Sequence, residues 1–208
     1  MYLSRVEVSG RLARNPCDVH RRLWTLFPDQ PLESRQDARS ARQGFLFRTE
    51  EQPAGGALRA LVQSRWAPVA ADGVTVVGCR EFDPQPKLGQ TLAFLLTANP
   101  VKTIMDSERD SKPGKTGTKC RVPLVREDEQ LSWLTRKLDE AAEILSPVAR
   151  GHAPIHFRKG GRPGKVVQVT IEGLLRVRDA GSLLAHLESG IGHAKAFGCG
   201  LLLVRTAA

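Results

Sequence analysis

The stretch NPCDVHRRLWTLFPD, residues 15–29, sets His20 beside Arg21 and Arg22 on what reads as a single helix. An imidazole with its ordinary pKa near 6.5 can give or take a proton at neutral pH. On a helical projection His20 falls next to Trp24 and Phe27, at the margin of the apolar stripe, while Arg21 and Arg22 turn towards solvent. A histidine at such a margin is more often a packed polar residue than a catalyst. Its role therefore depends on what the rest of the chain is built to hold.

The second group with chemical potential is the glycine-rich run GIGHAKAFGCG, residues 190–200. A dinucleotide fingerprint requires GxGxxG after a strand and opening a helix. Here Gly190-x-Gly192 follows a helical pattern, and Lys195 stands where the third glycine belongs. KPGKT (112–116) resembles a phosphate loop, yet Arg109 occupies the position of its first glycine. Both nucleotide readings fail on context. Residues 190–200 form either a purely structural turn or a place where backbone N–H groups around Gly192, Gly198 and Gly200 approach a phosphate chain, with Lys195 adding charge.

Thirty-one lysines and arginines face 22 acids, a net charge of +9, which favours a polyanionic partner. The bland alternative is a basic protein from an arginine-rich proteome. The excess is concentrated, however. RDSKPGKTGTKCR (109–121) carries Lys112, Lys115 and Lys119 among turn formers, and FRKGGRPGK (157–165) carries Arg158, Lys159, Arg162 and Lys165 on a hairpin. Each run alone is most simply a solvated face. Two such tips plus the arginines of residues 31–43 suggest a surface that tracks phosphates. Few aromatics accompany them, so a folded RNA helix read through its backbone fits better than a stacked single strand. RNA brings its own nucleophile, the 2′-hydroxyl. Its cleavage needs a base, a proton for the leaving 5′ oxygen, and cations near phosphorus.

Cys17, Cys79, Cys120 and Cys199 are scattered without a CxxC pair or a His-x3–5-His partner, so no metal site is expected. Buried reduced thiols are the expected state. No apolar run approaches the roughly 20 residues of a membrane helix, and the N-terminus lacks a signal peptide's apolar region. A cytoplasmic protein is expected, with no membrane association.

The elements that must position these residues follow from local pattern. Residues 2–9 alternate as a half-buried strand. Asn15 suits an N-cap, Pro16 the first helical position, and Pro28 stops the helix. FLFRTE (45–50) and LRALVQSR (58–65) read as a hairpin, and VTVVGCREF (74–82) as a further strand. The second helix of a ferredoxin-like unit is not visible between 66 and 73. DPQPKLGQ (83–90) makes a linker. TLAFLLTANPVKTI is a strand broken at Asn99-Pro100, with RVPL (121–124) as the partner of its second part. A helix from about 127 to 145 presents Leu131, Leu134, Leu138 and Ala142 on one face. HFRKGGRPGKVVQVTIEGLLRVRD (156–179) reads as two strands across a basic tip, Asp179 caps a helix through Leu187, and LLLV (201–204) is a buried strand.

Taken together, these segments resemble the CasE family, the CRISPR-associated endoribonucleases of type I-E Cascade complexes. The resemblance runs through MYLSRVEV, VHRRLWTLFPD, TANPVKTIMD, KCRVPLVRE, EQLSWLTRKL, VVQVTIEGLL and GIGHAKAFGCGLLLV. It implies an α+β chain of two tandem ferredoxin-like domains, residues 1–86 and 87–208. It implies metal-independent cleavage of precursor CRISPR RNA at the 3′ base of each repeat hairpin, with no small-molecule cofactor. The expected ends are a 2′,3′-cyclic phosphate and a 5′-hydroxyl. The product would stay bound, and the partners would be the repeat hairpin and other Cascade subunits. His20 falls on the family's catalytic histidine, Lys195 matches a lysine of its glycine loop, and residues 156–165 match the hairpin pressed into the RNA stem. Arg22, Lys112, Lys115, Lys119, Arg158, Lys159, Arg162 and Lys165 are expected to bind RNA, with the backbone at Gly192, Gly198 and Gly200. Several family members have a tyrosine three residues before the histidine. Here that position is Cys17, a poor phosphate anchor, so whatever the tyrosine contributes is either absent or supplied by another group, with Arg22 and Lys195 as candidates. The alternatives are a hairpin-binding subunit that does not cleave, and a basic structural protein of an unrelated ribonucleoprotein.

Overall fold

The computed structural model describes residues 1–10, 15–30, 44–50, 56–106, 118–159 and 161–207. Strand β1 (Tyr2–Val8) buries Ser4, Val6 and Val8 on one face and exposes Arg5 on the other. Helix α1 (Pro16–Leu23) starts where expected: the Asn15 side chain accepts from the Cys17 N–H at 3.3 Å, with Pro16 at the first position. It tightens into a 3₁₀ turn, Trp24–Leu26, ahead of Pro28. Strands β2 (Phe45–Thr49), β3 (Leu58–Ser64) and β4 (Val74–Glu81) complete an antiparallel sheet in the order β2-β3-β1-β4. This is the strand order of a β-α-β-β-α-β unit. The unit's second helix, expected to be short or degenerate, is absent altogether: residues 66–73 hold no helix, and Ala71 simply bridges to Val74. Val19, Leu23, Leu26 and Phe27 of the α1 segment pack on Val6, Val8, Phe45, Phe47, Ala60, Val62 and Val74. Each fully buried side chain of this kind contributes roughly 1.5–3 kcal/mol.

After the irregular residues 83–90, β5 (Thr91–Ala98) stops at Asn99-Pro100, and β6 (Val101–Asp106) pairs with β7 (Thr118–Pro123) as anticipated. Next come α2 (Glu127–Leu138), β8 (Ala142–Ile144), β9 (Val148–Gly151), β10 (Ile155–Lys159), β11 (Arg162–Val166), β12 (Val169–Val177), α3 (Ala180–Ser189), a 3₁₀ turn (Lys195–Phe197) and β13 (Leu202–Thr206). The second sheet runs β13-β5-β12-β8, with β9 also on β12, all antiparallel. With α2 and α3 as crossovers this repeats the same unit, and the β6–β7 and β10–β11 hairpins are insertions in it. The chain is α+β, built of two tandem ferredoxin-like sheets. Trp133, Leu134, Leu138, Leu183 and Leu187 from the helices meet Leu92, Leu96, Ile171 and Leu175 in the second core. Among the described residues no helix is long and apolar enough to cross a membrane.

Four expectations need correction. The helix expected to reach 145 ends at Leu138, because Arg178 and Asp179 both donate to the Ala141 carbonyl (2.9 and 3.1 Å) and draw Ala142 into β8. The segment 156–179 forms three strands, since Gln168 turns aside to bond the Phe197 carbonyl (2.8 Å) and Cys199 Sγ (3.3 Å). In LLLV, Leu201 and Leu202 are buried, but Leu203 and Val204 are only half-buried. Of the four free thiols only Cys199 is buried, and Cys79 is exposed on the edge strand β4.

The two sheets meet through a small junction. Gln63 Nε2 donates to the Leu187 carbonyl at the end of α3 (2.6 Å). Gly190, with φ +73°, sits where a Cβ would be 2.8 Å from Leu46 and 2.9 Å from the Gly200 carbonyl, so only glycine fits.

Candidate active site

Helix α1 packs against both the 3₁₀ turn at Lys195–Phe197 and strand β10, so three chemically distinctive segments converge. His20 is half-buried, with its ring centroid 5.2 Å from Phe45, 6.2 Å from Phe47 and 6.3 Å from Trp24. Packing and reactivity are therefore not alternatives here: the aromatic cluster fixes the ring while leaving it partly open. Asn15 Nδ2 donates to the Arg158 carbonyl (3.4 Å) and ties the start of α1 to β10. Phe157 of β10 packs on Phe197 of the 3₁₀ turn, ring centroids 4.5 Å apart and tilted by 40°. Gly164 of β11 lies beneath Phe157, where a Cβ would collide with the ring.

The glycine run makes a compact loop. Gly192 lies against Trp133 of α2, and Gly198 lies beside Phe47 and the backbone of Thr49, over the outer edge of β2. Ala194 takes a left-handed conformation (φ +60°), alone among the described non-glycine residues. That conformation costs a residue with a Cβ about 1 kcal/mol or more. Lys195 Nζ donates to the Ser189 carbonyl (2.5 Å), placing its charge at the C-terminal end of α3, where a cation is favoured. Burial first, then Arg121, Lys137 and Lys195, hold His193 below the usual imidazole range. Burial and Lys137 do the same to His186, with Lys195 adding and Glu140 opposing. These shifts mark a cation cluster contributed by β7, α2 and the loop.

Sequence reasoning singled out only part of this arrangement. Arg22 is half-buried, but at about 100° per residue it lies some 200° around α1 from His20, a poor position from which to act beside that ring. Arg158 and Lys165 are exposed on the β10–β11 hairpin, and Lys159 faces Arg162 in its register. Lys119 is exposed on β7, on the same side as Arg121. Lys112 and Lys115 lie outside the described residues, as do residues 31–43. Sequence reasoning passed over His193, Lys137 and Arg48. The last sits on β2 beside Gly198, with a buried Nε that makes no hydrogen bond among the described residues. FLFRTE held the only signal for it: alternation puts Arg48 on the opposite face from Phe45 and Phe47. No group of three or more His, Cys, Asp or Glu among the described residues is placed to hold a metal ion.

Tandem antiparallel sheets, an imidazole at their junction and a basic hairpin beside it define a class of α+β proteins suited to acid–base chemistry on a polyanion. The chain belongs to the CRISPR associated protein family, whose family model matches residues 1–206. It is 37% identical over 202 residues to the CRISPR system Cascade subunit CasE of Escherichia coli (strain K12), covering 97% of this chain and 98% of that protein. It is 30% identical over 227 residues to the CRISPR-associated endoribonuclease Cse3 of Thermus thermophilus, covering 98% and 99%. The crystal structure of the CRISPR-associated protein Cas6e from Escherichia coli K-12 matches with a TM-score of 0.84 at 35% identity, covering 100% of both chains. Thermus thermophilus Cse3 bound to an RNA representing a pre-cleavage complex matches with a TM-score of 0.72 at 28% identity, covering 98% of both. The CasE resemblance read from the sequence is borne out.

Proposed function

We propose that this chain is a CRISPR RNA-processing endoribonuclease that cuts precursor RNA at the 3′ base of the repeat hairpin without a metal ion. One domain, residues 1–86, carries His20, and the other, residues 87–208, carries the basic hairpin and the glycine loop. The 2′-hydroxyl loses its proton and attacks phosphorus in line. The bond to the 5′ oxygen then breaks, and that oxygen takes up a proton. The products are a 2′,3′-cyclic phosphate and a 5′-hydroxyl. His20 performs one of the two proton transfers. Lys195, held at the end of α3, and the loop amides near Gly192, Gly198 and Gly200 stabilise the charge building on the phosphorane. Arg158, Lys159, Arg162 and Lys165 grip the stem, assisted by Lys119, Lys112, Lys115 and Arg22. The product stays on the protein, which works in the cytoplasm as a subunit alongside other Cascade components.

The observation that carries this reading is the packing of α1, with His20, against both the Lys195 turn and the basic hairpin. The test is labelled repeat hairpin incubated with the protein in excess EDTA. Cleavage that disappears with a 2′-deoxy sugar at the scissile position, or with His20→Ala, supports it. Cleavage of the deoxy substrate refutes it.

One feature favours a second reading, a subunit that holds the hairpin without cutting it: Cys17 stands where several family members have tyrosine. Tight retention of intact hairpin in the same assay would establish that role instead.

A further inference from the structure

We propose that the cleft between the start of α1 and the β10–β11 hairpin receives the first unpaired nucleotide on the 3′ side of the repeat stem. This rests on the RNA-processing reading and assigns one nucleotide of the substrate to a place. The cleft, open to solvent, has a volume of about 460 Å³ and is walled by Asn15 and Pro16 on one side and by His156, Phe157, Arg158 and Pro163 on the other. That volume falls within the roughly 300–1,000 Å³ of small-ligand sites, enough for one nucleotide and too little for a duplex. The base must therefore be unpaired to enter.

The walls have the chemistry that splayed bases use. Pro16 and Pro163 offer flat apolar surface, while the His156 ring and the Arg158 guanidinium offer planar donors and charge for a base edge or phosphate. Both residues are exposed. The cleft is also preformed. The Asn15–Arg158 hydrogen bond fixes its width, and Phe157 is held between Phe197 and the bare backbone of Gly164. Its position selects the nucleotide. Asn15 and His20 are five residues apart, about 7.5 Å along the helix, a distance one nucleotide unit spans. If the scissile phosphate sits at His20 and the paired strand lies on the basic hairpin, the neighbour left over is the unpaired one 3′ of the cut.

The experiment measures hairpin affinity with RNAs blocked by a 2′-deoxy sugar at the scissile position. The 3′-flanking nucleotide is normal in one RNA and abasic in another, with the phosphate kept, and a third RNA is abasic at the 5′ flank. The wild-type protein should bind the 3′-abasic RNA at least fivefold more weakly than the normal one and be indifferent to the 5′ change. The His156→Ala/Pro163→Ala protein, checked by its thermal melt, should bind both 3′ forms within twofold of each other. Equal binding of the two by wild type, sensitivity at the 5′ flank instead, or a base preference unchanged in the variant overturns the assignment. Absence of any hairpin binding would overturn the RNA-processing reading itself, and this one with it.

Discussion

The proton transfer proposed for His20 and the packing of its ring separate under substitution. His20→Ala removes the proton donor and acceptor and also deletes a ring that contacts Phe45, Phe47 and Trp24 at centroid distances of 5.2–6.3 Å. For a half-buried ring, that loss of packing costs about 1–2 kcal/mol of stability. A domain stable by about 5–15 kcal/mol stays more than 99% folded after such a loss. Unfolding therefore cannot account for even a twofold drop in rate. Removing a general acid or base lowers the rate by about 10²–10⁴-fold, equivalent to roughly 3–5 kcal/mol of transition-state stabilisation. His20→Phe sharpens the comparison, because it restores a ring to the aromatic cluster without a titratable nitrogen. Single-turnover cleavage of labelled repeat hairpin, with the thermal melt of each variant, is the assay. Both variants should lose at least 100-fold in rate and bind hairpin within a fewfold of wild type, with His20→Phe melting above His20→Ala. A His20→Phe protein that cleaves within threefold of wild type would show that the ring serves packing alone.

His186 and His193 are both held below the ordinary imidazole value of 6.5, so the folded chain binds fewer protons there than the unfolded chain. Their stabilising share is complete above pH 6.5 and is lost as the pH falls through 6.5 towards the folded values. The urea midpoint should drop between pH 7.5 and 5.5, and His186→Gln/His193→Gln should flatten that drop; equal pH slopes in the two proteins would contradict it. Gly190→Ala places a Cβ against Leu46 and the Gly200 carbonyl in a backbone region that only glycine tolerates. It should lower stability by about 2–3 kcal/mol, seen as a shifted denaturation midpoint at unchanged slope. Burial pushes the Cys199 thiol up to about 11, whereas Cys79 is exposed. Alkylation at pH 8 followed by peptide mass spectrometry should therefore label Cys79 in the native protein and Cys199 only after denaturation; comparable labelling rates would show the surroundings of Cys199 to be open.

Local features were legible in the sequence. Asn15-Pro16 announced the start of α1, alternation announced β1, and Asp179 announced α3, where its side chain accepts from the Ser182 N–H at 2.6 Å. Each depends on a few adjacent residues. What escaped was set by distant partners. Ala142 continues a helical pattern, yet residues at the end of β12 capture the preceding carbonyl. Gln168 gave no warning that its amide would reach the glycine loop and divide a strand. The candidate site shows the same division. The helix, the basic hairpin and the loop could each be outlined alone, but nothing in their spacing put Phe157 on Phe197 or Asn15 on Arg158. Arg48 and His193 belong to surroundings assembled from several elements; the alternation of FLFRTE gives only the face on which Arg48 lies, and the neighbours of His193 give nothing.

The turn that packs beside His20 comes about 175 residues later in the chain, directly before β13, which pairs with the central strand β5. While the polypeptide is leaving the ribosome, the first sheet can assemble long before that last strand is available. A nascent chain thus exposes its histidine early but has no completed pocket around it until residues 195–206 have emerged. Under the proposed function, synthesis itself would time the onset of cleavage.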